Sequence, residues 1–435
     1  MAHNRLAALD RSYRQHNHQT LIIMSNNVFI AGTGMTRFGK FLDRGLKSLA
    51  AEAITEALND AGMESSQLQA AYMGNAAAGV MTGQVLIPGQ VVLRGMGIGK
   101  IPVINIENAC ATSSTAFQQA VSMIALGAYD IVLVAGYEKL YSEDKARTFS
   151  VFHGAVDLEA IDDVLRSLAA NMSRTGSAAD IGEAGRSRSL FMDLYAGMAR
   201  DYMTSTGATQ RDFAAIAAKN SFHGSLNPKA QFQEVLTIEQ VLSAPLIVDP
   251  LTRPMCAPIG DGAAALVLVS EKKAREMGLR DKVRVLSSTL ASGWDYEAGE
   301  KTRLAQYAAT QAYNAAGVGP GDLDVIELHD AGAPAELIYY EHLGLTGPGG
   351  AVALLQSGAT RLGGTIPVNP SGGLLRKGHP IGASGCAQLV ELTDQLRGRC
   401  GGRQVAGART ALAENGGGWI GDDAAAIVVS ILQKD

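Results

Sequence analysis

Ala57-Leu58-Asn59-Asp60-Ala61-Gly62 returns 255 positions later as Ala312-Tyr313-Asn314-Ala315-Ala316-Gly317. The same offset carries Leu68 onto Leu323, and Tyr72-Met73-Gly74-Asn75 onto Glu327-Leu328-His329-Asp330. Each copy has the spacing of an amphipathic helix, closed by a glycine C-cap and followed by a turn and a buried strand. A second repeated pair lies downstream. Gly260-Asp261-Gly262-Ala263-Ala264-Ala265 parallels Gly421-Asp422-Asp423-Ala424-Ala425-Ala426 at an offset of 161, and each leads into an apolar run. The chain is therefore a duplication whose first copy is longer by 255 − 161 = 94 residues.

That surplus falls between the strand pattern Ile131-Val132-Leu133-Val134-Ala135-Gly136 and Ala263. Its helical patterns, Met192 to Met203 and Gln210 to Phe222, predict an inserted loop or substrate domain over about 141–240. Short apolar strands alternating with helices predict an α/β fold with a mostly parallel sheet. Two such halves back to back make a five-layer αβαβα body. The expected divisions are a disordered extension over 1–24, a first half over 25–275 and a second half over 280–435. The extension holds His3, His16, His18, Arg5, Arg11 and Arg14 against one acid, Asp10, and the periodic pattern begins at Val28.

Bulk composition agrees with a large buried core. Of 435 residues, 47% are apolar and only 18% charged. A net charge of −5 with no basic run argues against nucleic acid. No apolar stretch reaches the roughly 18 residues needed to cross a bilayer, so no membrane insertion is expected. Cys110, Cys256, Cys386 and Cys400 lack the spacing of a metal site and are too few to staple the chain, so no bound metal is expected. They fit a reducing compartment, which we take to be the cytoplasm.

Four segments carry the chemistry. Asn108-Ala109-Cys110-Ala111-Thr112-Ser113-Ser114 follows the strand pattern Val103 to Ile106 and opens a helix. A helix N-terminus lowers a thiol pKa, which marks Cys110 as a nucleophile. His379 stands in Asn369-Pro370-Ser371-Gly372-Gly373-Leu374-Leu375-Arg376-Lys377-Gly378-His379-Pro380, a glycine- and proline-rich loop suited to presenting a base. The repeat sets this loop before the second-half helix equivalent to the one after Cys110, so the two residues should meet. His329 ends a strand, where open α/β sheets place their ligands. The neighbouring Asp330 could cap the helix from Ala333. The fourth segment, Asn415-Gly416-Gly417-Gly418, reads as a glycine turn whose backbone N–H groups approach a carbonyl oxygen.

With these segments quoted, the chain resembles the thiolases, and most of all their sterol-carrier-protein-type (lipid-transfer) branch, which includes acetyl-CoA acetyltransferases. The resemblance runs from about Val28 to Leu432. His329-Asp330 with Glu341-His342-Leu343-Gly344-Leu345, and Asn227-Pro228-Lys229-Ala230-Gln231-Phe232, mark the branch. It implies the five-layer fold with duplicated mixed sheets. It also implies acylation of Cys110 by an acyl-CoA, His379 as its base, and an oxyanion hole made by His379 with either a water or His329. The N–H groups of Cys110 and Gly417 would form a second hole. Coenzyme A and acyl-CoA are then substrates, no cofactor is held permanently, and the core is a homodimer or a dimer of dimers.

The chain departs from the family at one function. Thiolases move the α-carbon proton with a second thiol, placed either where this chain has Asn415 or where it has Ala331. Asp330 and Glu414 are the candidate substitutes, beside His329 itself. The expected activity is cleavage or condensation of a 3-oxoacyl-CoA. The alternative is an enzyme of side-chain or aromatic degradation, either a retro-aldolase or a thiolase for an unusual aryl or branched acyl-CoA. That alternative acts with a small zinc-ribbon/OB-fold partner.

Overall fold

The structure, a computed structural model, describes residues 26–177, 181–185, 188–297 and 299–435. The extension expected over 1–24 lies outside them. Nine strands of the described residues form one hydrogen-bonded sheet. They are β1 (Val28–Met35), β2 (Ala70–Gly74), β3 (Val103–Ile106), β4 (Ile131–Glu138), β5 (Gly262–Ser270), β6 (Val283–Ser292), β7 (Val325–Glu327), β8 (Thr410–Gly417) and β9 (Ala426–Lys434). Their order is β3-β2-β4-β5-β1-β6-β9-β8-β7.

The duplication explains this order. The first half runs β3-β2-β4-β5-β1, and the second runs β7-β8-β9-β6 in the same sense. The second half's missing edge strand survives as one parallel bridge, Ile326 to Val368. The halves touch where Val28, Phe29 and Ile30 pair with Val285, Arg284 and Val283. The expected mostly parallel sheet is corrected here. Only β2–β3, β2–β4 and β7–β8 are parallel; the other five contacts are antiparallel. Strands buried on both faces read as continuous apolar runs in either direction, so their sequence does not report direction.

Alternate residues of the strands feed separate cores. In the first half, Phe29, Leu133 and Val267 pack under helix α1 (Leu46–Ala61) through Leu49, Ile54 and Leu58. Burying each such side chain contributes roughly 1.5–3 kcal/mol. Gly34 makes the close approach feasible, because a Cβ there would lie 2.1 Å from the Ala53 carbonyl oxygen. The opposite strand faces, with Ile30, Val134 and Leu266, bury against α2 (Thr112–Ala125). Further along the chain come α3 (Lys145–His153), α4 (Ile161–Thr175), α5 (Leu190–Thr206) and α6 (Gln210–Ser225), all between β4 and β5. The second half adds α7 (Leu304–Ala316), α8 (Ala333–His342) and α9 (Ser384–Arg397).

Helices α2 and α9 share one apolar cluster between the two half-sheets. A third cluster joins the outer face of the second half, through Ile326, Leu412 and Val429, to α7, α8 and the inserted α5 and α6. The layers thus run helix, sheet, helix pair, sheet, helix. Their consequence is local: α2 and α9 begin at the same place, and the segments leading into them converge.

Candidate active site

Cys110 sits in a single helical turn, Ala109–Ala111, just ahead of α2. The turn is forced. Ala109 has φ +47°, a left-handed conformation that costs a non-glycine residue about 1 kcal/mol or more. Three hydrogen bonds hold it there. Ala109 N–H donates to Glu107 Oε1 (2.6 Å), Thr112 Oγ1 donates to the Ala109 carbonyl (2.6 Å), and Asn108 N–H donates to Thr112 Oγ1 (2.8 Å). The result is a sharp elbow that turns the thiol into a cavity.

The expectation of a lowered thiol pKa is overturned. The apolar floor around Cys110, with the Glu138 and Glu107 carboxylates nearby, pushes it up to about 12. Burial outweighs the helix terminus because Cys110 precedes the helix instead of lying in its first turn. The resting group is a neutral thiol, so any attack by this sulfur requires a base to take its proton.

His379 is placed to take that proton. Its Nε2 lies 3.3 Å from Cys110 Sγ, and its Nδ1 lies 2.8 Å from Ser384 Oγ. Ser384 donates its own proton to the Pro380 carbonyl (3.0 Å), so it accepts from Nδ1–H. Nε2 is therefore the bare nitrogen facing the thiol. Burial, followed by the charges of His329 and Lys377, holds His379 well below its ordinary pKa, so it is unprotonated and competent at neutral pH.

The loop carrying His379 is rigid because both its ends are tied down inside the protein. Asn369, at φ +54°, accepts from Leu328 N–H (2.9 Å) and donates to Glu336 (3.0 Å). Ser371 donates twice to Glu327, and Lys377 pairs with the same carboxylate at 2.9 Å. Lys219 of the inserted α6 pairs with Glu336 at 2.7 Å. Buried pairs of this kind specify geometry more than they stabilise.

His329 lies two residues past the end of β7, at the position the repeat expected. Its ring centroid is 5.1 Å from that of His379, with the planes at 84°. The Cys110 sulfur and a ring nitrogen from each histidine lie within 4.8 Å of one another. Burial drops the His329 pKa to about 4, so it too is neutral. Asn415 Nδ2 lies 2.9 Å from His329 Nδ1, and Asn415 Oδ1 accepts from Ser114 Oγ at 2.7 Å.

The structure does not bring the two substitute acids to the cavity. Asp330 accepts from Leu374 N–H (2.6 Å) and Asn220 Nδ2 (2.8 Å), and so pins the His379 loop to α6. It does not cap α8 either, whose N-cap is Gly332 with no side-chain bond. Glu414 accepts from His329 N–H at 2.9 Å, and burial raises its pKa to about 8. Its neighbours form no turn: Asn415, Gly416 and Gly417 are the end of β8, paired with Val428, Ile427 and Ala426. Gly417 packs so tightly on the elbow that a Cβ would lie 2.4 Å from the Asn108 carbonyl oxygen.

Above these residues opens a cavity of about 590 Å³. Cys110, His329, Ala331, His379, Gly416 and Gly417 line its floor. Its walls are largely aromatic and thioether: Phe149 and Phe152 from α3, Phe191, Met192, Tyr195 and Met198 from α5, Tyr339 from α8, and Trp419. Exposed Lys40, Lys145 and Arg253 stand among the lining residues.

Sequence reasoning missed three contributors. Cys256 lines the cavity beside Ala331, through a bridge to Gly332 and a 2.9 Å bond from Ala257 N–H to the Ala331 carbonyl. Burial raises its pKa to about 12, so it stays a thiol. Ser384, five residues after His379, follows the His379 loop segment in the sequence but had no readable role. Glu138 ends β4 and accepts from Ala76, Ala77 and Gly382 N–H groups, which fastens the first half's strand end to the His379 loop.

The "Thiolase, N-terminal domain" family model matches residues 28–272. The chain belongs to the thiolase family. The "Thiolase C-terminal domain-like" model takes up at 297 and runs to 430. This thiolase is 36% identical to sterol carrier protein 2 of Gallus gallus over 403 residues (90% of the chain, 70% of that protein). It is 35% identical to the acetyl-CoA acetyltransferase of Methanothermobacter thermautotrophicus over 396 residues (90% and 96%). It is also 35% identical to the benzoylsuccinyl-CoA thiolase subunit BbsB of Thauera aromatica over 387 residues (88% and 92%). Among solved structures it resembles the Ltp2–ChsH2(DUF35) aldolase, with a TM-score of 0.75 and 26% identity over 95% of this chain and 99% of that one. This thiolase is accordingly an acyltransferase of the acetyl-CoA acetyltransferase type, in the sterol-carrier-protein branch. Among its described residues, no helix is long and apolar enough to cross a membrane.

Proposed function

We propose that the protein cleaves 3-oxoacyl-CoA thioesters with a bulky apolar or aromatic acyl group, through an acyl-Cys110 intermediate. The observation that carries this reading is the 3.3 Å approach of a bare His379 Nε2 to the Cys110 thiol at the floor of an aromatic-lined cavity. In the cleavage direction, Cys110 Sγ attacks the ketone carbon as its proton passes to His379. The carbon–carbon bond breaks and its electron pair leaves with the acetyl-CoA enolate. His379 returns the proton to that α-carbon, so one histidine does the work of the missing thiol. Coenzyme A then attacks the acyl-Cys110 carbonyl and gives its proton to His379, which passes it to the departing Cys110 sulfur. The N–H groups of Cys110 and Gly417 would hold the oxyanion of each tetrahedral intermediate. Lys40, Lys145 and Arg253 suit the phosphates of coenzyme A.

Each reading brings its own partner. A homodimer would form across β3, a sheet edge whose residues are only half covered, next to the exposed Val85, Leu86 and Ile87. The likeness to the Ltp2–ChsH2(DUF35) aldolase favours a second reading, a retro-aldolase acting with a zinc-ribbon/OB-fold partner. The lack of a thiol at Asn415 and Ala331 also suits it.

The test is intact-mass measurement after incubation with aryl and branched acyl-CoAs. A single acyl adduct that disappears in Cys110→Ala supports the first reading. No adduct, with aldehyde or ketone released from a 3-hydroxyacyl-CoA, overturns it in favour of the second.

A further inference from the structure

We propose that the phenol hydroxyls of Tyr195 and Tyr339 form a recognition subsite in the cavity, one that selects acyl groups carrying a neutral oxygen, such as a hydroxyl, near the carbon bound to Cys110. This deepens the function proposed above and rests on it.

The argument starts from an unmet hydrogen bond. Tyr195 of α5 and Tyr339 of α8 are buried residues that line the cavity. A buried tyrosine hydroxyl usually finds a partner. Three tyrosines packed in the same apolar cluster obey that rule. Tyr202 donates to Glu341 (2.6 Å), Tyr313 donates to the Leu343 carbonyl (2.8 Å), and Tyr340 donates to Glu336. Among the described residues, the hydroxyls of Tyr195 and Tyr339 have no partner, yet neither oxygen is sealed off. Leaving a buried hydroxyl unpaired costs free energy that a ligand oxygen would recover.

Both hydroxyls belong to the floor end of the cavity. A Cβ at Gly416 would lie 3.6 Å from the Tyr339 hydroxyl oxygen, so this bare floor residue leaves that oxygen uncovered. The Tyr195 ring packs on Gly332, beside Ala331 of the floor, where a Cβ would come within 2.9 Å of its Cγ. Burial, and then the Cys110 thiol, push the Tyr195 pKa well above its ordinary value, which sets this hydroxyl within the field of the reacting sulfur. Burial, Glu414 and Tyr195 do the same for Tyr339. Both therefore stay neutral phenols, able to donate and to accept. The oxyanion of the reacting carbonyl has its donors in the N–H groups of Cys110 and Gly417, so these hydroxyls are left for an oxygen of the acyl group itself. The groups whose charge reaches them are Cys110, Asp330, Glu414 and Asp423, all acids. A carboxylate would be repelled there, and a neutral oxygen is the matching group.

The test compares benzoyl-CoA with its ortho-, meta- and para-hydroxy forms. Calorimetric binding to the full chain carrying Cys110→Ala, which holds the ligand without transferring it, reads the subsite alone. At least one hydroxy form should bind about 10- to 100-fold more tightly than benzoyl-CoA. Adding Tyr195→Phe and Tyr339→Phe together should abolish that advantage and leave the Kd of benzoyl-CoA within about threefold. With Cys110 intact, cleavage of the matching 3-oxo-3-(hydroxyphenyl)propanoyl-CoA should show the same preference in kcat/KM over the unsubstituted thioester, and the double variant should lose it. Equal affinity for benzoyl-CoA and all three hydroxy forms overturns the proposal. So does a preference that survives the double variant, or a loss that falls equally on benzoyl-CoA. Absence of any acyl adduct on the wild-type protein would instead overturn the function proposed above, and the binding arm would still read the subsite.

Discussion

The two halves of the molecule end equivalent strands in different ways. β2 ends at Gly74-Asn75 and β7 continues into His329-Asp330, related by the repeat offset of 255. In the first half, a Cβ at Gly74 would press to 2.9 Å from Thr112 Cγ2, so the strand end is kept bare for α2 to pack. Asn75 then serves structure, donating to the Tyr137 carbonyl (2.6 Å) and to Glu138 (3.0 Å). In the second half the same place carries an imidazole over the cavity, while Asp330 takes the structural duty. Duplication supplied two equal frames. The first came to hold the Cys110 thiol on a strained elbow, and the second came to hold both histidines.

This division of labour can be broken residue by residue. Cys110→Ala removes the proposed attacking thiol and should lower cleavage by about 10⁴-fold or more, measured as acyl-CoA formation in the presence of coenzyme A. His379→Gln strikes the second half's contribution. It should slow Cys110 acylation by about 10²- to 10⁴-fold in rapid-quench mass measurements, with little change in folding stability. Lys377→Met tests whether the His379 loop depends on its buried ion pair. It leaves Glu327 uncompensated and should cost about 3–5 kcal/mol in a denaturant titration.

A pH profile sharpens the comparison with the smallest effect. Burial depresses both histidines, His329 to about 4. A base with a lowered pKa is neutral above that value and loses function only as pH falls through it. Acylation of Cys110 should therefore stay level between about pH 6 and 8. An inflection near 6.5, the ordinary histidine value, would show that His379 is far more solvated than its place in the structure requires.

Much of this was legible in the chain because repeats and helix starts are local patterns. The 255-residue offset placed the strands and helices, and the convergence of α2 and α9 followed for Cys110 and His379. What stayed hidden depends on contacts across the halves. Asn415 read as a gap because its partners, Ser114 and His329, lie 301 and 86 positions away. Asp330 read as a helix cap or a base because its bonds to Leu374 and Asn220 have no local signature. The Cys110 pKa was misjudged because burial depends on walls supplied by the inserted helices. Periodicity likewise could not tell a parallel strand from an antiparallel one when both faces are covered.

In the proposed reaction Cys110 carries the acyl group while His379 handles the protons. Its most direct test is a single turnover of the protein with a bulky 3-oxoacyl-CoA and no free coenzyme A. Acetyl-CoA should appear in step with an acyl adduct on Cys110, in equal amounts, and then stop until coenzyme A is added. Acetyl-CoA release without an adduct, or no release from any 3-oxoacyl-CoA, would contradict it.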